Sequence, residues 1–145
     1  MELLAAPYPI TPSPLGALRT VGTELGIKGD LLQLILTNPG ERVMMPNYGT
    51  PLRRLFFQQN SPSLIDQARN MILDSIRAWE PRIVVRSLII TSSDDGDKNI
   101  LKNTIPDYQN NPHILLIKLQ YSILSNIQGI QNLVLQVPLT GGLNA

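Results

Sequence analysis

Four glutamates, Glu2, Glu24, Glu41 and Glu80, are the residues of this chain with the best claim to acid–base chemistry. A glycoside hydrolase needs two carboxyls flanking a sugar bond, one protonated and one ionised. Glu41 and Glu80 each have an arginine close by in sequence, Arg42 and Arg82. A neighbouring cation favours the ionised carboxylate, which opposes a general-acid role. Stacking surface for sugars is scarce as well, because Trp79 is the sole tryptophan and falls on the apolar face of a predicted helix. His113 is the only histidine, which argues against a histidine metal cluster and against a Ser/His/Asp triad with a spare base. The run Asp95-Gly96-Asp97-Lys98-Asn99 imitates the opening of a calcium loop. That loop needs glycine where Ile100 stands and a bidentate glutamate where Pro106 stands, so a solvated acidic turn is the better reading. With no cysteine and no glycine-rich phosphate loop, nothing in the residues calls for a metal or a cofactor.

At 145 residues and 43% hydrophobic content, the chain is long enough for one ordinary domain with a sizeable core. A net charge of +1 gives no footprint for nucleic acid or for an anionic membrane. The start Met1-Glu2-Leu3-Leu4 has no basic segment and is interrupted by Pro7 and Pro9, unlike a secretion signal. No apolar run approaches the length of a membrane span. These features predict a soluble, cytoplasmic chain.

The elements that must position the charged residues can be read in order. Residues 1–20 form a Pro-rich leader with Pro7, Pro9, Pro12 and Pro14, extended because proline fixes φ and lacks an amide donor. It is either a docking arm or a frayed end. A first helix ends at Thr37 and presents Leu31, Leu32, Leu34, Ile35 and Leu36. Its start is Asp30 as N-cap or a point nearer Thr23, despite Gly26 and Gly29. Thr50 caps a short helix from Pro51 to Phe57. Ser61 and Pro62 open a long helix whose Ile65, Ala68, Ile72, Ile76 and Trp79 recur at helical spacing on one face. Asp66–Arg69 and Asp74–Arg77 form i,i+3 pairs on its other side, and Pro81 ends it.

Strands follow. Residues 83–91 are nearly continuously apolar, as for a strand covered on both faces. Leu115, Ile117, Leu119, Tyr121 and Ile123 alternate with more polar neighbours, and Leu133, Leu135, Val137 and Leu139 repeat the pattern. Gly129 is read in the connection between these two, which makes a hairpin. Pro138 cannot donate to a ladder and marks the last strand as an edge. A polar insertion over residues 92–112 separates the first two strands. The fold class expected is α+β, N-terminal helices packed on a three-stranded antiparallel β-meander. It forms a single domain over 21–140, with a tail at 141–145.

Three motifs stand in order along this frame: Thr37-Asn38-Pro39-Gly40-Glu41-Arg42, then Pro46-Asn47-Tyr48-Gly49 with Leu55-Phe56, then Glu80-Pro81-Arg82. Over residues 25–140 the chain resembles the baseplate wedge family of contractile phage tails, the sheath initiators, which is related to a wedge component of type VI secretion systems. Glu80-Pro81-Arg82 has a purely structural reading, since an arginine beyond a helix end meets the dipole and free carbonyls. The resemblance instead makes it a docking point on the helical core bundle of the wedge, with Arg82 serving assembly more than folding. Glu41 and Arg42 resemble a family pair that also bears on partners, although pinning their own loop is the stronger reading. Tyr48 and Phe56 are read as core packing.

The resemblance implies a structural protein, not an enzyme, in the virion tail baseplate, assembled in the host cytoplasm. Its partners would be other baseplate wedge proteins, the tail sheath protein, and tube or hub proteins, with no nucleic acid and no membrane. Within the last strand, Asn132, Leu133, Val134, Leu135, Gln136 and Val137 carry no charge, so they lack the usual lysine guard of a sheet edge. Related proteins imply that a sheath strand is added at such an edge. The alternative is a peptidoglycan hydrolase, a muramidase, because names in this family include "lysozyme".

Overall fold

The proline pair of signals read in the sequence, Ser61-Pro62 and Glu80-Pro81, bounds the longest helix of a computed structural model. The structure describes residues 10, 13–14, 16, 22–55, 58, 61–92 and 114–138. Helix α1 spans Thr23–Leu36, a 3-10 turn spans Leu52–Leu55, and helix α2 spans Pro62–Trp79. Strands β1, β2 and β3 cover Ile83–Ser92, Ile114–Ile123 and Asn126–Pro138. Both strand pairings are antiparallel, in the order β1-β2-β3. The fold is therefore α+β, two helices followed by a three-stranded antiparallel sheet. Residues 93–112 of the polar insertion, His113, Phe56, the 141–145 tail and most of the leader lie outside the described residues, as do Asp95–Asn99 and Pro106.

The chain divides into two compact units. The first comprises Met1–Pro51 and Ile72–Arg82, the second Leu52–Met71 and Ile83–Ala145, so the boundary runs through α2.

In the first unit, α1 starts after Gly22 and buries Gly26, Ile27, Gly29, Leu31, Leu34 and Ile35. Asp30 is thus inside the helix and not its cap. The helix ends where Thr37 turns to extended geometry and its amide donates to the Gln33 carbonyl at 2.9 Å. Ile72 and Ile76 are buried on the C-terminal half of α2.

In the second unit, the Ser61 hydroxyl accepts the Leu64 amide at 3.3 Å, a side-chain N-cap with Pro62 at the first helical position. Leu64 and Ala68 are buried, whereas Ile65 is only half-buried. The covered stripe of α2 is therefore Leu64, Ala68, Ile72, Ser75 and Ile76, shifted by about one position from the face centred on Ile65 and Trp79. The outer side carries the Arg77–Asp74 pair at 3.7 Å. The 3-10 turn begins after Pro51 and buries Leu52 and Leu55.

One face of the sheet is buried through Leu115, Ile117, Leu119 and Tyr121 of β2 and Leu133, Leu135 and Val137 of β3. On the opposite face, Lys118 pairs with Ile89 and Val134, and Val84 pairs with Ser122, which pairs with Ile130. Val84 and Ile89 are 39% and 51% exposed, so β1 is an edge strand with an open face, not one covered on both. The turn between β2 and β3 is Leu124-Ser125, and Gly129 lies inside β3. A register shift there places Ser122 opposite Ile130 and Ile123 opposite Asn126, and the Gly129 amide is taken up by Asn126 Oδ1 at 3.3 Å. β1 has its own irregularity: Arg86 falls between paired Val85 and Ser87, donating to Ser122 Oγ at 3.0 Å and to the Ile127 carbonyl at 3.4 Å.

Candidate functional site

Pro81 ends α2 and turns the chain, so that Arg82 folds back beside the residue that precedes the proline. Arg82 Nε and Nη2 donate to the two oxygens of Glu80 at 2.5 and 2.6 Å, a bidentate fork. Nη2 also donates to Asp30 Oδ2 at 2.7 Å, on α1. The Glu80 side chain is only 6% exposed, while those of Arg82 and Asp30 are 41% and 44% exposed. The guanidinium is held above its ordinary pKa first by its bond to Glu80, with burial opposing and Asp30 adding to the rise. One arginine therefore compensates a buried carboxylate inside the fold and still shows part of its surface to solvent. Pro81 is exposed beside it. Its duty within the fold is thus to two carboxylates, where a position after a helix end pointed to the helix dipole and free carbonyls.

The second charged pair belongs to the loop between α1 and the 3-10 turn. Glu41 Oε2 accepts the Asn38 amide at 2.9 Å, closing the Asn38-Pro39-Gly40 turn. Arg42 Nη2 donates to Gln33 Oε1 at 2.8 Å, and its guanidinium carbon lies 3.8 Å from the centre of the Tyr48 ring. The Tyr48 ring meets Trp79 edge-on, with centroids 5.3 Å apart. Burial raises the Tyr48 phenol above its ordinary pKa; Arg42 opposes that rise and Asp30 and Glu80 add to it. Glu41 and Arg42 thus each hold the loop, one within its own turn and one to α1 and Tyr48.

The far end of the loop is locked by backbone. The Thr50 amide donates to the Thr37 carbonyl at 2.9 Å, its hydroxyl to the Leu34 carbonyl at 3.1 Å, and the Ser75 hydroxyl to the Gly49 carbonyl at 3.1 Å. Thr50 therefore ties the loop to α1 instead of capping the next helix. Gly49 has φ of +119°, and a Cβ there would collide with the Thr37 carbonyl oxygen. Asp30, Gln33, Thr50, Ser75 and the Tyr48–Trp79 contact were missed as members of this site. Only the glycine at Pro46-Asn47-Tyr48-Gly49 hinted at them.

The model of the family described as "Baseplate wedge protein gp25" matches residues 23–126, which span both helices, both charged pairs, β1 and β2. The chain belongs to the baseplate wedge protein family. Baseplate wedge protein gp25 of Enterobacteria phage T4 is 29% identical over 111 residues, 77% of this chain and 72% of the relative. A Geobacter sulfurreducens protein named a tail lysozyme matches in structure with a TM-score of 0.65 and 22% identity, covering 84% of this chain and 96% of its own. A chain of the anti-feeding prophage baseplate gives 0.60 at 18% identity, over 95% of this chain and 86% of its own. A chain of the type VI secretion system baseplate complex gives 0.54 at 16% identity, over 79% and 92%. At these identities the structural likenesses show the shared fold.

The six residues of the candidate sheath strand lie on β3 of this wedge protein, in the second unit. Leu133, Leu135 and Val137 point to the buried face, and Asn132, Val134 and Gln136 are exposed. Among the described residues, no group of three or more His, Asp or Glu side chains could hold a metal ion, and no helix is long and apolar enough to cross a membrane.

Proposed function

We propose that this protein is a structural wedge component of a contractile-tail baseplate, that it docks on other wedge proteins through the surface around Glu80-Pro81-Arg82, and that it starts sheath polymerisation at β3. The observation that carries the reading is the family match over residues 23–126, which contains the whole Asp30–Arg82–Glu80 cluster. Docking at Arg82 is supported by its partly exposed side chain, whose guanidinium is fixed in place by two carboxylates; a fixed arginine loses little freedom on binding. Strand addition at β3 is supported by the contrast between the two sheet edges. β1 is interrupted by a bulge carrying Arg86, a device that blunts an edge, whereas Asn132–Val137 is regular and uncharged. The protein works in the virion baseplate, after assembly in the host cytoplasm, against wedge, sheath and tube or hub proteins.

Reconstitution with the other wedge proteins of the same tail tests this. Wild type should join the wedge, and Arg82→Ala should weaken association of the folded fraction by about 2 kcal/mol. Val134→Pro should block sheath assembly on baseplates while leaving wedge entry intact. A wild-type chain that stays out of wedges overturns the docking reading. Sheaths of normal length on folded Val134→Pro baseplates overturn the strand reading.

The likeness to a protein named a tail lysozyme favours a second reading, peptidoglycan hydrolysis. Against it, both oxygens of Glu80 already accept N–H groups of Arg82 and the side chain is turned inward. A non-enzymatic role fits that geometry better.

A further inference from the structure

Val43 and Met44 are 94% and 90% exposed, the two most exposed large apolar residues among those described. Single exposed apolar residues are ordinary, but two adjacent ones at the tip of a braced loop are not. Val43 and Met44 are the central residues of a turn closed by the Met45 amide on the Arg42 carbonyl at 3.2 Å. A second turn follows, Tyr48 amide to Met45 carbonyl at 3.0 Å, and the Gly40 amide crosses the base of the loop to the Pro46 carbonyl at 2.7 Å. With Arg42 on Gln33 and Tyr48, and Tyr48 against Trp79, the tip is held on both sides by contacts of its own unit.

We infer that Val43 and Met44 form a preformed apolar plug that seats in an apolar cup on a neighbouring wedge protein, a contact separate from the one at Arg82. This rests on the wedge reading above. The occupant follows from shape and charge. A two-residue convex tip is matched by a concave apolar site, which neither a flat lipid surface nor the same tip on a second copy offers. Residues 43–47 carry no charge, Glu41 is engaged at Asn38, and Arg42 is engaged at Gln33 and Tyr48. The one cation of the loop, Arg42, is turned to Gln33 and Tyr48 and adjoins Glu41 of opposite charge, so the tip itself presents no positive charge to an anionic membrane, and a single short tip is a weak anchor there. Bracing removes most of the ordering cost of binding, and methionine adapts to an irregular cup. Trp79 adjoins Glu80 in sequence, so the brace ends next to the Arg82 cluster and both contacts belong to one unit.

The test uses the full chain with the other wedge proteins of its tail, co-expressed. A photoreactive diazirine side chain at position 44 should crosslink to one wedge protein, at a peptide rich in apolar residues. Met44→Asp should lower wedge incorporation roughly tenfold or more, Met44→Leu should leave it near wild type, and both variants should melt like wild type. Normal incorporation of Met44→Asp overturns the plug while leaving the wedge reading standing; a wild-type chain that joins no wedge overturns both. Met44-dependent flotation with neutral or anionic vesicles, or a Met44-dependent dimer of the isolated chain, would assign the tip to lipid or to a second copy and overturn the proposal.

Discussion

Arg82 bridges Glu80, two residues before it, and Asp30, 52 residues before it, with Nη2 at 2.6 and 2.7 Å from the two carboxylates. The two contacts differ in weight. Glu80 is almost fully covered, so removing its cation strands a buried charge, whereas the half-exposed Asp30 can be rehydrated. Arg82→Ala should therefore cost about 1–3 kcal/mol in urea unfolding, and Asp30→Asn under about 1 kcal/mol. Equal effects would place the whole of the arginine's contribution to stability at Asp30 and none at Glu80.

Gly49→Ala should destabilise by about 1–3 kcal/mol or more, because the positive φ and the Thr37 carbonyl both oppose a side chain. Gly40→Ala, at φ of +94° with open space around it, should cost about 1 kcal/mol. The difference between the two urea midpoints isolates the collision at Thr37.

The raised Tyr48 phenol makes an alkaline prediction. Its pKa in the fold exceeds the ordinary 10.0, so above that pH the unfolded chain loses the proton first and the fold is disfavoured. Its contribution is intact below about pH 10 and is lost as pH rises through the higher folded value. Tyr48→Phe should flatten the alkaline fall of the melting temperature relative to wild type. Identical alkaline limbs would mean that Tyr48 ionises as freely in the fold as outside it.

Ile72 has no exposed surface. Ile72→Ala should cost about 2–5 kcal/mol and Ile72→Asp should unfold the protein or make it insoluble. A soluble, cooperatively melting Ile72→Asp protein would contradict the burial of this face.

Pure wild type, Glu80→Gln and Glu41→Gln should be indistinguishable from buffer in a peptidoglycan turbidity assay. Reproducible lysis by wild type, lost in either variant, would establish the hydrolase reading.

Local signals in the sequence were dependable where the physics is local. Ser61 before Pro62, Glu80 before Pro81 and the strict alternation from Leu133 to Val137 translate directly into a cap, a helix end and a half-buried strand. Periodicity located α2 but not its rotation: Leu64 and Ile65 are both apolar, and tertiary packing chose Leu64. Gly129 resembled a turn residue, yet the reversal falls on Leu124-Ser125 and the glycine is absorbed in a register shift. The Asp30–Arg82 bridge, the Gly49–Ser75 bond and the Tyr48–Trp79 contact link residues far apart in sequence, and no spacing rule reports such pairs. The candidate site was legible as motifs, but their joining into one braced unit was not.

Strand β1, broken at Arg86, and the regularly paired, uncharged segment Asn132–Val137 of β3 make the sheet asymmetric across its width. If β3 accepts a strand, growth proceeds outward from that side alone, as from a primer with one blocked end. Such a protein can begin a lattice but cannot be inserted in the middle of one, because its other flank offers the next subunit no straight ladder. The number of growing rows would then equal the number of wedge copies seated beneath them, and starting points would be counted by the baseplate and not by the concentration of the polymerising subunit.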